Sequence, residues 1–393
     1  MTTKSSKSLR VALIAAPLSM SLLAQSAGQG FAVDCRITED GNVILTEENN
    51  SGRRNGTCTN NNVHGNRSLN DNVGVVDQNN LIGNGSLNNN LGNVLENRVI
   101  GGNSGNRNGD NFKDNTIIGR SSGSDNGQKF EQNKIFGDDS GRNSGANVFN
   151  NTIIGDRSGN EIRDNAKFNI VVGRDSGNRI DGDSNLVFGN SSGNDVTGGG
   201  NQASGAAVGN DVTGSSNQAS GTNAGNSVTG SFNQASGVNV GSDVTGSRNQ
   251  ASGVDTGNNV AGDRNLASGD NVGNSVTGIA NQASGDTAGN DVTGEFNQAS
   301  GSNVGNGVTG DGNQANGATA GNNVTGSVNQ ASGVTAGNDV TGNFNQARGF
   351  TVGSGVTGDG NQASGAAAGN SVAGSSNQAS GISVGNSVTG IAN

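Results

Sequence analysis

"NQASGTNAGNSVTGSF", Asn217–Phe232, returns with small changes as "NQASGVNVGSDVTGSR" at Asn233–Arg248 and "NQASGVDTGNNVAGDR" at Asn249–Arg264. The step is 16 residues, and near-copies continue to Asn377. Upstream a looser motif steps by 18, with "NNVHG" at Asn61, "NNLIG" at Asn79, "NRVIG" at Asn97, "NTIIG" at Asn115 and "NKIFG" at Asn133. "NTIIG" at Asn151 and "NIVVG" at Asn169 complete that series, and "NLVFG" at Asn185 opens the shorter step. So short a fixed period predicts a solenoid, in which each coil buries its apolar residues against its neighbours.

Within each unit, "QAS" and "xVT" are two short strand candidates, bounded by Gly and Asn at the bends. Neither is long enough for a helix, and the frequent Gly disfavours one. The expected fold is all-β, a parallel β-solenoid of 18- then 16-residue coils. Three columns should point inward. The first is Ala203, Ala219 and every successor to Ala379; the second mixes Val208, Ala224, Val240 and Thr256; the third is Val196, Val212, Val228 and onward to Val388. In the earlier coils Ile117, Ile135 and Ile153 enlarge the first column, and Phe112, Phe130, Phe149 and Phe168 are expected to fatten the core. The recurrent Asn should hydrogen-bond up and down the stack. The thin core of the later coils predicts association of several chains.

Composition narrows the function. Of 393 residues 70 are Gly and 11 are aromatic, all of them Phe. A formal charge of −10, with no Lys after Lys167, argues against nucleic-acid binding. No nucleophile–base pairing or recurring pair of carboxylates suggests an enzyme, and no cofactor is expected. A calcium roll would need an unbroken acidic column, but Asp195, Asp211 and Asp291 share theirs with Ser227, Asn259, Gly307 and Gly355. The Thr column of Thr213, Thr229 and Thr245 is one residue wide and interrupted by Ala261 and Ala373.

Residues 1–32 read as a secretory signal peptide, with basic Lys4, Lys7 and Arg10 before the apolar run Val11–Ala24. Residues 33–60 form an expected N-terminal cap, in which Cys35 and Cys58 most simply make one disulfide; two free thiols are the alternative. Residues 61–168 then carry the 18-residue coils and residues 169–393 the 16-residue coils.

The repeat resembles the head repeats of YadA-like trimeric autotransporter adhesins, with "GNDVTGSSNQASG" at Gly209–Gly221 similar to a longer form of that family's "SVAIGxxSxAxG". The resemblance implies a left-handed parallel β-roll, a homotrimer and display on the bacterial outer membrane. It implies adhesion to host extracellular-matrix or cell-surface molecules. The family's collagen-linked "NSVAIG" has its nearest counterpart in Asn370, Ser371 and Val372 of "NSVAGSS", which lacks the Ile. Phe232, Phe296 and Phe344, at a variable position, are further candidates for ligand or subunit contact. The family's stalk and membrane barrel have no counterpart after Asn61, so the chain is expected to be a fragment whose anchor lies downstream. The alternative function is a secreted, self-assembling fibre or matrix protein of curli-like type.

Overall fold

The computed structural model describes residues 43–45 and 53–392, apart from 242, 274, 290, 306, 322, 338, 354, 368–370 and 384–386. Among these residues there is no helix, and every strand pairing is parallel. The chain is a parallel β-solenoid of about 20 turns. Its strands stack into sheets of 21, 14 and 4 members that run along the coil axis.

Register follows the repeat. Ile117 pairs with Ile135, Ile135 with Ile153, Val187 with Ala203, and Ala203 with Ala219. On the 14-stranded sheet Val212 pairs with Val228 in the same way. Ala203 and Ala219 are each 3% exposed, and Val212 and Val228 are 2% and 1% exposed, so both columns lie in the core. Alternation along each strand turns Gln202 and Ser204 outward on either side of Ala203.

Polar ladders close the coils. The backbone N–H of Asn217 donates to the side-chain oxygen of Asn201 at 3.1 Å, and its side-chain nitrogen donates to the Gly230 carbonyl at 2.9 Å. The equivalent Asn is buried in successive coils from Asn61 to Asn377. A Ser ladder accompanies it in the earlier coils: Ser176 accepts the Ser192 N–H at 3.2 Å and donates to the Gly189 carbonyl at 2.6 Å. From Val208 onward that column becomes apolar, except that Thr256 still donates to the Gly269 carbonyl.

The cross-section changes between Ser144 and Asn185. In the earlier coils a fourth inward column runs through Cys58, Val76, Val94, Phe112, Phe130, Val148 and Ala166, all buried. Beside it lies a second buried Asn ladder, Asn72, Asn90, Asn108 and Asn126, which gives way to Ser144, Ile162, Ile180 and Val196. In the later coils that slot is Gly, as in Gly182, Gly198 and Gly214, which accept the same ladder-Asn hydrogen bond but bring no side chain inward. The column that was a polar ladder now supplies their apolar wall.

Two expected core residues are displaced. Phe112 and Phe130 stack inside with ring centroids 5.8 Å apart, but Phe149 is half-buried and Phe168 is 51% exposed. The inward slot lies three residues before the ladder Asn, where Val148 precedes Asn151 and Ala166 precedes Asn169. Phe149 and Phe168 fall one and two residues beyond it and meet edge-on outside the core at 6.1 Å.

Candidate interaction surface

The outer faces are built from the same columns as the core. Gln202, Gln218 and Gln234 form one exposed row, and Ser204, Ser220 and Ser236 another. Thr213, Thr229 and Thr245 form a third, on the other long sheet. Coil spacing of about 4.8 Å repeats each group at that interval.

Phe232, Phe296 and Phe344 sit at the corner just before the ladder Asn and are 55%, 61% and 63% exposed. Each has left-handed backbone, with φ of 62°, 57° and 59°. The Phe232 N–H donates to the Ser215 carbonyl at 3.0 Å, and the Phe344 N–H to the Ser327 carbonyl at 3.0 Å. The backbone is thus tied to the coil before it, and the ring is left outside. Arg248, Arg264, Ala280, Gly312 and Val328 occupy the same corner between them. The three rings are therefore separate points along the rod, not a continuous patch.

Ser371 is exposed, but Val372 is 0% exposed and pairs with Val356 and Val388 in the third inward column. Its alternation with Ser371 turns it into the core, which removes it as a surface contact. Asn370 lies outside the described residues. Cys58 is buried in the strand Thr57–Thr59 and is disulfide-bonded. Cys35 also lies outside the described residues.

Charge is concentrated in the earlier coils. Arg107 reaches one coil on to Asp125 at 2.5 Å, and Arg157 reaches Asp175 at 2.6 Å. Hydrogen bonding from Arg107 holds the Asp125 carboxyl below the usual carboxylate range, and Arg157 does the same to Asp175. Arg179 pairs with Asp195, so that acid is engaged by an arginine. Among the described residues no group of three or more His, Cys, Asp or Glu is placed to hold a metal ion. An open groove where the coil shortens is lined by Glu161, Arg163, Asp164 and Asp181. Among the described residues no helix is long and apolar enough to cross a membrane.

One surface feature escaped the sequence reading. From Ile82 through Ile100, Ile118, Phe136, Ile154 and Val172 to Phe188, each outward residue registers with the next. Ile82, Ile154 and Phe188 are 47%, 42% and 40% exposed, and the others are half-buried by their neighbours. Phe188 then registers with Ser204, and the stripe ends. Its signal was the second apolar residue of "NTIIG" and "NKIFG", which alternation turns away from the core. No family model matches the chain, and no curated protein or solved structure does.

Proposed function

We propose that this chain is an exported adhesin-type binding rod, displayed at the bacterial cell surface and acting without catalysis. The observation that carries this reading is the repetition of exposed side chains along the coils, Gln202 to Gln218 to Gln234 and Thr213 to Thr229 to Thr245. Such a surface suits a partner that is itself extended or repetitive, because many weak contacts add through effective concentration. The phenylalanines at positions 232, 296 and 344 are the anchors, since exposed aromatic side chains dominate contact energies. The resemblance to adhesin heads supports a left-handed roll of 18- then 16-residue coils, three chains side by side, and a host matrix or cell-surface ligand.

The test is binding of the labelled mature chain to cultured cells and to surfaces coated with matrix proteins. Saturable binding that drops about tenfold or more in a Phe232→Ser, Phe296→Ser, Phe344→Ser variant of unchanged circular dichroism supports the reading. Absence of binding, together with spontaneous fibres by electron microscopy, would replace it with a self-assembling matrix protein.

A further inference from the structure

Among the described residues, nothing but its own neighbours in the stack covers the apolar stripe from Ile82 to Phe188. Seven coils at about 4.8 Å make it on the order of 29 Å long. A contiguous exposed apolar surface of that kind marks a contact. We propose that it is a self-association surface, covered by the same stripe of another copy of this chain, parallel and level with it. This rests on the multi-chain rod proposed above and names the face that joins the chains.

The charges beside the stripe fit a second copy of the same face. Lys134 stands two residues before Phe136 and Asp138 two residues after it, and both are exposed. Lys134 opens the strand Lys134–Phe136 and Asp138 follows it at the turn after Gly137, where its carboxylate also accepts the Arg120 N–H at 2.7 Å, so the two charges stand on opposite flanks of the stripe at its midpoint. When identical faces meet with their stacks parallel and level, the leading flank of one lies against the trailing flank of the other. Lys134 of each copy then meets Asp138 of its neighbour, in a pair or in a closed ring of three. Antiparallel stacking over the whole stripe turns about Phe136 and sets Lys134 against Lys134 and Asp138 against Asp138. Antiparallel stacking also sets Arg120 against Asp156, both exposed, so in either direction a copy of the same face supplies opposite charges; the level, parallel arrangement is the one that the multi-chain rod proposed above requires. A lipid surface fits less well, because the stripe is one side chain wide and rimmed by both signs of charge.

The later coils set the limit of this contact. The same position is Ser in Ser204, Ser220 and Ser236, so the contact made through the stripe is confined to the earlier coils.

The experiment measures the mass of the full mature chain by light scattering and sedimentation equilibrium. The Ile118→Ser, Phe136→Ser variant copies the residue that the later coils carry, so its circular dichroism should be unchanged. The wild type is expected at two or three times the chain mass and this variant at the chain mass. Lys134→Asp alone should weaken association about tenfold, and adding Asp138→Lys should restore it. An oligomeric wild type whose mass survives all these changes overturns the stripe but leaves the multi-chain rod standing. A monomeric wild type overturns both. Monomers that bind anionic vesicles only while Ile118 and Phe136 are present would assign the stripe to lipid and overturn the proposal.

Discussion

Asn297 gives its backbone N–H to the side-chain oxygen of Asn281 at 3.0 Å, and Asn281 gives its own to Asn265 at 3.0 Å. The side-chain nitrogen of Asn281 serves two further carbonyls, Thr277 at 2.9 Å in its own turn and Gly294 at 2.8 Å in the next. One buried amide thus serves three backbone groups. No apolar residue of that size can do so.

Asn281→Ala should therefore cost more than its volume suggests. It removes the acceptor of the Asn297 N–H and the amide donor to the Thr277 and Gly294 carbonyls, and a buried unsatisfied group costs about 1–3 kcal/mol. Denaturant unfolding should show a loss of about 3 kcal/mol or more. Hydrogen exchange should speed up at Asn297 while the coils near Asn61 stay protected. A loss below about 0.5 kcal/mol would mean that the ladder is ornamental.

Gly221→Ala tests how closely the coils approach. A Cβ there would lie 1.9 Å from the carbonyl oxygen of Gly237, and the backbone φ of +127° disfavours any side chain. The expected cost is about 3 kcal/mol or more, against about 0.5 kcal/mol or less for the neighbouring exposed Ser220→Ala. Thermal unfolding of the two variants measures the contrast.

Ser371 and Val372 should part in the same way. Val372→Ala removes two buried methyl groups and should cost about 1–2.5 kcal/mol, while Ser371→Ala should stay within about 0.5 kcal/mol. Equal effects would return Val372 to the surface.

The Arg–Asp pairs of the earlier coils give those coils an acid sensitivity. The Asp125 and Asp175 carboxyls are depressed, so their contribution is present above the ordinary carboxylate value of about 3.9 and is lost as pH falls through their lower folded values. Carboxyl NMR titration should find both below that value, with Asp125 moving up in Arg107→Gln. Ordinary titration of both would remove the effect, and added salt should shrink it, because these pairs are exposed.

The stacking direction, the Asn ladder and the columns of Ala203 and Val212 were legible because a strict period places identical residues above one another whatever the coil's exact path. What stayed hidden depended on which way a residue faces. "NTIIG" offers two apolar side chains in succession, and period alone does not say that Ile117 enters the core while Ile118 leaves it. Phe149 and Phe168 read as core by type, but their distance from Asn151 and Asn169 sets them outside. The buried Ser column escaped because a serine reads as surface until Ser176 is seen donating inward to the Gly189 carbonyl. Val372 was drawn outward by a motif resemblance, against a column that already placed it inside.

The register of the later coils also bears on heredity. Gln202–Ala206 pairs with Gln218–Thr222 just as Gln218–Thr222 pairs with Gln234–Val238. Excising the stretch from Asn217 to Phe232 would bring Ala203 against Ala235 and Val212 against Val244, the same neighbours by type. Slippage during replication that drops or duplicates a whole unit therefore leaves every seam intact. A lineage could change its reach by one coil at a time with no change to the rules that hold the coils together.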